Sequence, residues 1–445
     1  MRSARTTLAV AGLAGALGGC GVGVQPLMPT PVIYTEGGLK PLDHIPEHER
    51  WLPRRIYYAT NRERVSDAQR INYGNTMSDS VAVGMALVGF GNRDLSWATL
   101  DKASISAERD ADVNLSIAGI MEFGRISAER PVEEAIDANQ AGVLLDELRD
   151  SIDDARDKDL LIYVHGAKVN FYNACVFAAE LDHFMGRDLT AVAFAWPTHQ
   201  DIFAYLSGED VKRGYESAEA LATLIELLSA ETHALRIHVL SWSAGGRVAS
   251  KAIAILRDRY PDVDAETLRS RFRLGTAYFA AGDVPTQEFL SEVQSIHSLV
   301  DRLVVTQSSH DEALDVGSTV MSGGDRIGQD SNHLAKEDLD MVLSLERLEV
   351  VDVSLAAADR GFDIVGHNYW FDHPWASSDV LLSIRTRLSP ADRGLEQGKV
   401  PVLWYLPPDY PQRLRKLLRE SELRTWADPE ELAEPARTPE RPLPE

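Results

Sequence analysis

The sequence predicts an α/β protein with a mostly parallel, doubly wound sheet, helices on both faces and additional strands at the amino-terminal side. Short apolar runs typical of buried strands recur along the chain, and the first, Asp159 to Val164, is apolar almost throughout. Amphipathic helical segments separate several of these runs. Strands that alternate with helices favour parallel pairing through right-handed crossovers.

The amino terminus has the three regions of a bacterial secretory signal. Arg2 and Arg5 form a short basic region, and the apolar run from Leu8 to Leu17 is too short to span a bilayer. The run ends in the sequence LGGC at residues 17–20, which resembles the lipobox of bacterial lipoproteins. The resemblance implies cleavage after residue 19 and acylation of Cys20, whereas an ordinary signal peptide with an incidental cysteine is the alternative.

Acylation would place the protein in the cell envelope. Several acyl chains on Cys20 give stable anchoring, whereas a single chain gives only marginal binding. Position 21 carries glycine, where aspartate is the familiar signal for retention in the inner membrane. The lipobox therefore implies a protein that faces the periplasm from a lipid anchor, with the outer membrane as the favoured destination. Cys175 then has no intrachain partner and is expected to be a buried apolar residue.

The chain divides into four predicted parts. The boundaries are 1–19 for the signal peptide, 20–53 for a flexible tether rich in Pro and Gly, 54–418 for the folded body and 419–445 for a disordered tail rich in Glu, Pro and Arg. Within the body, residues 54–130 are predicted to form an N-terminal extension of the sheet, and residues 131–418 its core.

Strand and helix patterns follow one another along the body. In the extension, Ile56 to Thr60 and Val81 to Val88 are predicted strands. In the core, strands are predicted near residues 160–165, 190–195, 236–241, 273–280, 302–308 and 347–354. Helices are predicted at residues 131–156, 211–229 and 246–258.

The composition excludes several classes of function. A formal net charge of -23 argues against a nucleic-acid partner, because a phosphate backbone would be repelled over most of the surface. The chain contains no zinc-ligand spacing, no phosphate-binding loop and no dinucleotide fingerprint. No metal or other cofactor is therefore expected, and the sequence identifies no protein partner.

The main chemical motif is a strand-to-helix turn at Ser243. The five-residue turn 241–245 that contains Ser243 directly follows the strand-like run 237–240 and opens an apolar helix. A nucleophilic serine on such a turn needs small residues two positions before and two positions after it, because the turn is tight and strained. These positions hold Ser241 and Gly245, so a serine replaces the usual glycine at the first of them. A glycine-containing turn without a catalytic role is the alternative.

The segment Val164 to Ala167, at the end of the first buried strand, is the expected partner of this turn. A tetrahedral oxyanion is stabilised by the N–H of the residue after the nucleophile and by an N–H from an early strand-to-helix loop. This predicts the backbone amides of Ala244 and Ala167 as the oxyanion hole. We interpret His165 as a residue that orients the loop rather than as a catalytic base.

Two aspartates compete for the role of the catalytic acid. Asp311 follows the predicted strand Leu303 to Gln307, and a buried carboxylate there can hold an imidazole in the productive tautomer. Asp283 follows the preceding strand and is the alternative acid. Strand position favours Asp311. A helix cap or turn is the non-catalytic interpretation of either residue.

His367 is the candidate base, on the loop after the last predicted core strand. His373 competes for this role, but the glycine before His367 indicates a sharp turn that lifts the side chain towards the site. Ser243, Asp311 and His367 then occur in the chain order serine, acid, histidine, which is characteristic of α/β-hydrolases.

From Arg54 to Asp379, the chain resembles a known family, the DUF900 group of α/β-hydrolases in the esterase/lipase superfamily. The shared landmarks are Tyr57-Tyr58-Ala59-Thr60-Asn61-Arg62, His165-Gly166 with Asn170-Phe171, Ala195-Trp196-Pro197, Ser308 to Leu314, Gly323-Gly324-Asp325-Arg326-Ile327-Gly328 and Gly366-His367-Asn368-Tyr369. The family usually reads H-S-M-G at the nucleophile and H-G-Y-N after the early strand. This chain has WSAG at residues 242–245 and HGAK at residues 165–168, so the surroundings of the oxyanion hole differ.

The motifs and the resemblance together predict a membrane-anchored serine hydrolase that cleaves a carboxylic ester or related acyl bond of a small or lipid-like substrate. Ser243 would be acylated, His367 would shuttle the proton and Asp311 would orient the imidazole. The alternative from another class is a non-catalytic envelope lipoprotein that uses the same fold as a binding or assembly module.

Overall fold

The computed structural model describes residues 25–65, 71–92, 94–110, 112–127, 142–311, 314, 318, 324–329, 334–354 and 368–420. Several predicted features lie outside these residues. They are the signal peptide, the acylated Cys20, the candidate base His367, residues 131–141 of the first predicted core helix and the tail beyond residue 420.

The described residues form one twelve-stranded sheet. Its strands are β1 (Gln25–Pro26), β2 (Arg54–Arg64), β3 (Tyr73–Phe90), β4 (Asn114–Ser127), β5 (Leu160–Val164), β6 (Thr190–Phe194), β7 (Ile237–Trp242), β8 (Leu274–Ala280), β9 (Val300–Gln307), β10 (Leu348–Asp352), β11 (Glu396–Gln397) and β12 (Leu403–Tyr405).

Helices connect the strands and cover the sheet. They are α1 (Val32–Thr35), α2 (Trp97–Ile105), α3 (Gly142–Asp154), α4 (Phe171–Phe184), α5 (Ile202–Leu206), α6 (Glu209–Glu231), α7 (Gly245–Asp258), α8 (Ala265–Phe272), α9 (Thr286–Leu299), α10 (Lys336–Leu343), α11 (Tyr369–Asp372), α12 (Pro374–Arg385) and α13 (Tyr410–Glu420), with a 3₁₀-helix at Glu47–Glu49.

The strand order is β1-β4-β3-β2-β6-β5-β7-β8-β9-β10-β12-β11. The strands from β2 through β6, β5, β7, β8, β9 and β10 to β12 run parallel, and the remaining pairings are antiparallel. β5 lies between β6 and β7, so the strand order reverses there. In open parallel sheets, functional sites form at such a switch point, at the carboxyl ends of the strands.

The core lies in two layers, one on each face of the sheet. In β5, Leu161 and Tyr163 face one apolar cluster, and Leu160, Ile162 and Val164 face the other. α4 and α12 supply the first cluster, and α3, α6, α7 and α9 supply the second. This alternation follows from the two-residue period of a strand, and it confirms the predicted doubly wound arrangement.

The core strands lie where the sequence predicts them. Each observed strand from β5 to β10 begins and ends within two residues of its predicted bounds. β5 to β8 are buried at every residue, and most of β9 is buried as well, so these strands are largely apolar runs that stand out from their surroundings. β10 is half-buried at three of its five residues. The helices predicted at residues 211–229 and 246–258 correspond to α6 and α7.

The N-terminal extension is larger than predicted. β2, β3 and β4 pair antiparallel and lengthen the sheet beyond β6. The strands expected at residues 56–60 and 81–88 are extended at both ends, and β4 was not expected at all. The additional residues are mostly half-buried or exposed, so they lack the apolar signal of a buried strand.

Residues 25–53, which we name the N-terminal arm, pack against the body. The arm contributes a row of buried side chains, Leu27, Met28, Val32, Ile33, Tyr34, Leu39, Leu42 and Ile45. The N–H of Met28 donates to the Glu180 carboxyl at 2.8 Å, and that of Ile33 donates to the Ser378 hydroxyl at 3.0 Å. This corrects the flexible tether expected for residues 20–53 over its described part, residues 25–53, because backbone groups there find partners far away in the sequence.

Among the residues that the structure describes, every helix is too short or too polar to span a membrane.

Cys175 is a free cysteine in α4, where it is fully buried, as expected for an apolar role. Burial raises the pKa of its thiol above the ordinary value.

Candidate active site

Ser243 occupies a strained turn between a strand and a helix. β7 ends at Trp242, and α7 begins at Gly245. Ser243 has a φ of 53°, in the left-handed region that costs a non-glycine residue about 1–2 kcal/mol. Its N–H donates to the carbonyl of Ala280 at 3.0 Å, and its carbonyl accepts the N–H of Gly246 at 2.9 Å. The turn therefore has the geometry of a nucleophile elbow.

The two small positions that flank Ser243 differ in how much room they have. A Cβ at Gly245 would lie 2.5 Å from the carbonyl oxygens of Val164 and His165, which is too close for any side chain. Ser241 is accommodated because its hydroxyl donates to the carbonyl of Tyr278 at 3.2 Å. The requirement for glycine therefore applies at the position after the serine and not at the position before it.

The predicted oxyanion donors lie on segments at the carboxyl ends of β5 and β7. Ala244 is the N-cap residue of α7, and Ala167 lies in the loop between β5 and α4. The end of this loop is held at the carbonyl of Val169, which accepts from the Arg62 guanidinium at 2.7 Å and from the Thr198 hydroxyl at 2.9 Å. The loop is thus fixed before any substrate arrives.

His165 is a buried, neutral part of this loop. Its ring stacks on Trp196 with 5.4 Å between the centroids, and its Nδ1 lies 2.7 Å from the carbonyl oxygen of Gly166. Burial, and after it the positive charge of Arg62, lowers the pKa of His165 to about 3. A histidine that stays neutral at every physiological pH and points into the core is suited to orienting the loop.

Asp311 is a buried carboxylate beyond the end of β9. Its Oδ1 accepts the N–H of Leu314 at 3.1 Å. Burial and then the negative charge of Asp311 raise the pKa of Tyr369, whose hydroxyl lies 2.9 Å from that of Thr306 in β9. The start of α11 is therefore held against the same edge of the sheet as Asp311.

Asp283, the alternative acid, lies in a dense network of charged and polar groups. Its Oδ1 accepts from the Nε of Arg326 at 2.6 Å and lies 3.4 Å from the Nη2 of Arg247. The Tyr205 hydroxyl donates to Oδ2. The backbone N–H of Asp283 donates to the carbonyl of Ser243 at 3.0 Å. Asp283 thus joins two buried arginines to the serine turn.

Residues 324–329, part of a family landmark in the sequence, connect two loops at this edge of the sheet. The N–H of Ile327 donates to the carbonyl of Val284 at 3.0 Å, in the loop after β8. The carbonyl of Gly328 accepts the N–H of Ser308 at 2.9 Å, just beyond β9. This segment therefore couples the loop that contacts the serine turn to the strand end that leads to Asp311.

Of the two candidate bases, the structure describes His373 and not His367. His367 lies outside the described residues, but α11, which starts two residues later, is described. His373 is the N-cap residue of α12, and its Nδ1 accepts the N–H of Trp375 at 3.1 Å. An Nδ1 that accepts a hydrogen bond carries no proton to donate to a carboxylate.

Sequence reasoning did not single out Arg326, Arg247, Arg62 or Tyr205 as parts of the site. Arg326 and Arg62 are fully buried, and the sequence resemblance had placed both within its landmarks. An arginine within a landmark is the signal that could have identified these two residues as parts of the site. A fully buried arginine needs an ionic or carbonyl partner. Tyr205 and Arg247 lie on helices and had no comparable signal.

Among the described residues, no group of three or more His, Cys, Asp and Glu side chains is arranged to hold a metal ion. The described features of the candidate site are the strained Ser243, the loop that carries the predicted oxyanion donor Ala167, and the buried carboxylates of Asp283 and Asp311.

Comparison with known protein families gives one match. Residues 141–385 match the family described as an alpha/beta hydrolase of unknown function, DUF900. The chain belongs to this family. The matched region runs from the start of α3 to the end of α12, so it includes the serine turn, both aspartates and His367. The resemblance and the fold class expected from the sequence are confirmed. No curated protein matches the chain.

Proposed function

We propose that this α/β-hydrolase is a serine hydrolase that cleaves a carboxylic ester, with Ser243 as its nucleophile. The observation that carries the proposal is the left-handed backbone of Ser243 between β7 and α7. Strained backbone persists where surrounding contacts impose it, and it is concentrated at functional sites. A strained serine is expected of an enzyme that presents a hydroxyl, and a binding module has no need of it.

The reaction follows from the groups around the turn. Ser243 Oγ attacks the ester carbonyl carbon while His367 takes its proton, and the oxyanion receives hydrogen bonds from the amides of Ala244 and Ala167. His367 returns the proton to the leaving alcohol as the carbon–oxygen bond breaks. Water then attacks the acyl-enzyme with His367 as the base, which releases the acid and regenerates the serine. Asp311 holds the imidazole in the required tautomer.

The contacts of the two aspartates support Asp311 as the acid. Both carboxylate oxygens of Asp283 already accept strong donors, one from Arg326 and the other from Tyr205. A carboxylate committed to an arginine is poorly placed to accept the N–H of an imidazole as well. Asp311 is buried beyond the end of β9, and its Oδ1 accepts the N–H of Leu314.

The contacts of His373, and the position of the described segment that follows His367 in sequence, support His367 as the base. A triad histidine donates its Nδ1 proton to the acid and accepts the serine proton at Nε2. In His373 the Nδ1 is used as the acceptor that caps α12, so this tautomer is the opposite one. The described segment that follows His367 begins beside Asp311, where Tyr369 contacts Thr306.

An ester with an apolar acyl group is the substrate class that the flank of the site favours. Trp242 directly precedes the nucleophile and packs with Phe177, Trp370 and Phe371, at centroid distances of 6.1, 6.1 and 6.0 Å. Apolar and aromatic surroundings favour apolar ligands and strengthen the polar contacts that remain. The change from the family's tyrosine to Ala167 leaves a smaller side chain at the oxyanion loop.

Labelling with a fluorophosphonate probe tests the proposal. The probe modifies an activated serine, so the wild-type protein is expected to be labelled and Ser243→Ala is expected to lose all labelling. Ser241→Ala is the matched control, because it removes a buried hydroxyl two residues away that donates to a carbonyl. Absence of labelling in folded wild-type protein, or equal labelling of Ser243→Ala, would overturn the assignment.

We also propose that the protein is anchored through acylated Cys20 and faces the periplasm, with the outer membrane as its destination. The supporting observation is the order of basic, apolar and LGGC segments at residues 1–20.

A further inference from the structure

Arg326 is a fully buried arginine that the proposed reaction does not use. Its Nε donates to Asp283 at 2.6 Å, and its guanidinium also contacts the carbonyl of Gly324. Removing an arginine from water is costly unless the partner geometry is good. A charge placed at such a cost beside the serine turn requires an explanation.

Asp283 connects Arg326 to the nucleophile through a single residue. Its side chain accepts from Arg326, while its backbone N–H donates to the carbonyl of Ser243 at 3.0 Å. The same Ser243 carbonyl accepts the N–H of Gly246, at the start of α7. The backbone of Asp283 is therefore one of the contacts that hold the serine turn in place.

We propose that Arg326 is a positioning residue for the nucleophile, which acts through Asp283 to hold Ser243 in its left-handed conformation. The inference rests on the proposed function, since it takes Ser243 as the nucleophile. Arg326 does not touch the reacting atoms. Its effect is to fix the Ser243 hydroxyl relative to the oxyanion donors.

The segment around Arg326 extends this effect to the acid. Residues 324–329 hydrogen-bond both to Val284, after β8, and to Ser308, before Asp311. Arg326 anchors this segment to Asp283 through an ion pair in which its Nε lies 2.6 Å from Oδ1. One buried ion pair thus sets the spacing between the serine turn and the loop that carries the proposed acid.

Arg326→Lys is the sharpest variant to test this role. Lysine keeps the positive charge, but it lacks the Nε donor and the planar fork that orient the carboxylate. Misplacing a reacting group by about 1 Å can cost about a hundredfold in rate. We expect the rate of fluorophosphonate labelling and kcat to fall about ten- to a hundredfold, with KM changed by no more than about twofold.

The matched control is Arg393→Lys. Arg393 is also fully buried, and its Nε donates to Asp379 at 2.8 Å, so the two ion pairs have nearly the same geometry. Its second partner, Glu349, is near the amino end of β10, whereas the serine turn lies at the carboxyl ends of the parallel strands. This variant should lower thermal stability as Arg326→Lys does, with labelling within about twofold of wild type. Equal slowing of labelling in both variants would overturn the proposal.

Tyr205→Phe covers the case in which Arg326→Lys does not fold. The substitution removes only the hydroxyl that donates to Asp283 Oδ2 and changes no charge. It should slow labelling in the same direction, by about three- to tenfold, since one neutral hydrogen bond is lost. Labelling at the wild-type rate in this variant, or in folded Arg326→Lys, would contradict the positioning role.

Hydrogen exchange separates this inference from the proposed function. If wild-type protein is not labelled, the hydrolase assignment fails, but exchange still reports whether Arg326 holds the turn. We expect Arg326→Lys, and not Arg393→Lys, to speed amide exchange in peptides covering residues 241–247 and 280–286. That result supports the positioning role of Arg326. Unchanged exchange in both variants would rule it out, whatever the labelling shows.

Discussion

At the scale of single residues, Ser241 and Gly245 show which part of a nucleophile turn is sterically strict. The Ser241 hydroxyl has a carbonyl acceptor on the neighbouring strand, so a side chain fits before the nucleophile. After the nucleophile, the helix starts so close to β5 that a Cβ would meet two backbone oxygens at 2.5 Å. The departure from the usual glycine pattern is therefore compatible with the same turn.

The roles of the two aspartates can be separated by matched substitutions. Asp311→Asn should lower kcat by about 10³–10⁴-fold with little change in melting temperature, because it removes the group that sets the imidazole tautomer. Asp283→Asn should destabilise the fold by about 3–5 kcal/mol, because it breaks a buried ion pair, with a smaller loss of kcat. Ester-hydrolysis kinetics and thermal unfolding of both variants test this. A larger kcat loss in Asp283→Asn would transfer the acid role to that residue.

The identities of Ser243, Asp311 and His367 as candidates came from local sequence. Each follows a predicted strand, and their chain order matches that of α/β-hydrolases. The preference for Asp311 over Asp283 rested on strand position, which left Asp283 open as the alternative because both residues follow a strand of the same sheet. Structural support for this preference comes from Arg326 and Tyr205, which are distant in sequence from Asp283 and adjacent to it only after folding.

At the scale of secondary-structure elements, predictability followed burial. β5 to β8 are buried at every residue, so each is a largely apolar run that can be recognised in the sequence. β4 and the first half of β3 are half-exposed and rich in polar residues, with shifts in register between the two strands. Their hydrogen bonds depend on neighbouring strands, and their own sequences carry little of that information.

The N-terminal arm shows the same limit. Its composition is that of a linker, yet its backbone donors are satisfied by Glu180 and Ser378, which lie far along the chain. Arg109 adds contacts to the carbonyls of Leu27 and Met28. The arm is an element of the folded body because these partners exist.

Glu180 makes the attachment of the arm dependent on pH. Burial raises the pKa of this carboxyl from 4.5 to about 8. Between these values the folded state holds a proton that the unfolded state has lost, so stability falls as pH rises, by about 1.4 kcal/mol per pH unit. Glu180→Gln keeps an oxygen for the Met28 N–H and removes the titration. The free energy of unfolding of wild type relative to this variant should therefore drop by about 2 kcal/mol from pH 5.5 to pH 7.5.

Chemical denaturation at both pH values measures this difference. Glu337→Gln is the control for the loss of one carboxylate, because Glu337 is exposed on α10. A wild-type curve parallel to that of Glu180→Gln would show that the carboxyl does not titrate in this range.

At the scale of the whole molecule, the packed arm changes what a lipid anchor at Cys20 would do. Gln25 already pairs with β4, so only residues 20–24 separate the proposed acylation site from the folded body. A chain of that length spans at most about 18 Å when fully extended. An acylated protein would therefore be held close to the membrane surface and could not range far from it.

Substitution of the anchor cysteine tests this arrangement. Cys20→Ala should move the protein from the membrane fraction to the soluble fraction and abolish incorporation of a fatty-acid label, because a single residue carries all the acyl chains. Cys175→Ala is the matched control, since Cys175 is buried in α4 and cannot be acylated in the folded protein. Membrane retention of Cys20→Ala would contradict the lipoprotein assignment.

The sequence by itself determined the order of strands and helices in the core, the position of the serine turn and membership of the family. These features are encoded in short segments, where the period of apolar residues and a few small residues decide the local structure. Tertiary structure alone decided that the N-terminal arm packs on the body and that Asp283 is committed to Arg326. These contacts join groups that are distant along the chain, and they form because a buried donor, acceptor or charge must find a partner once water is removed.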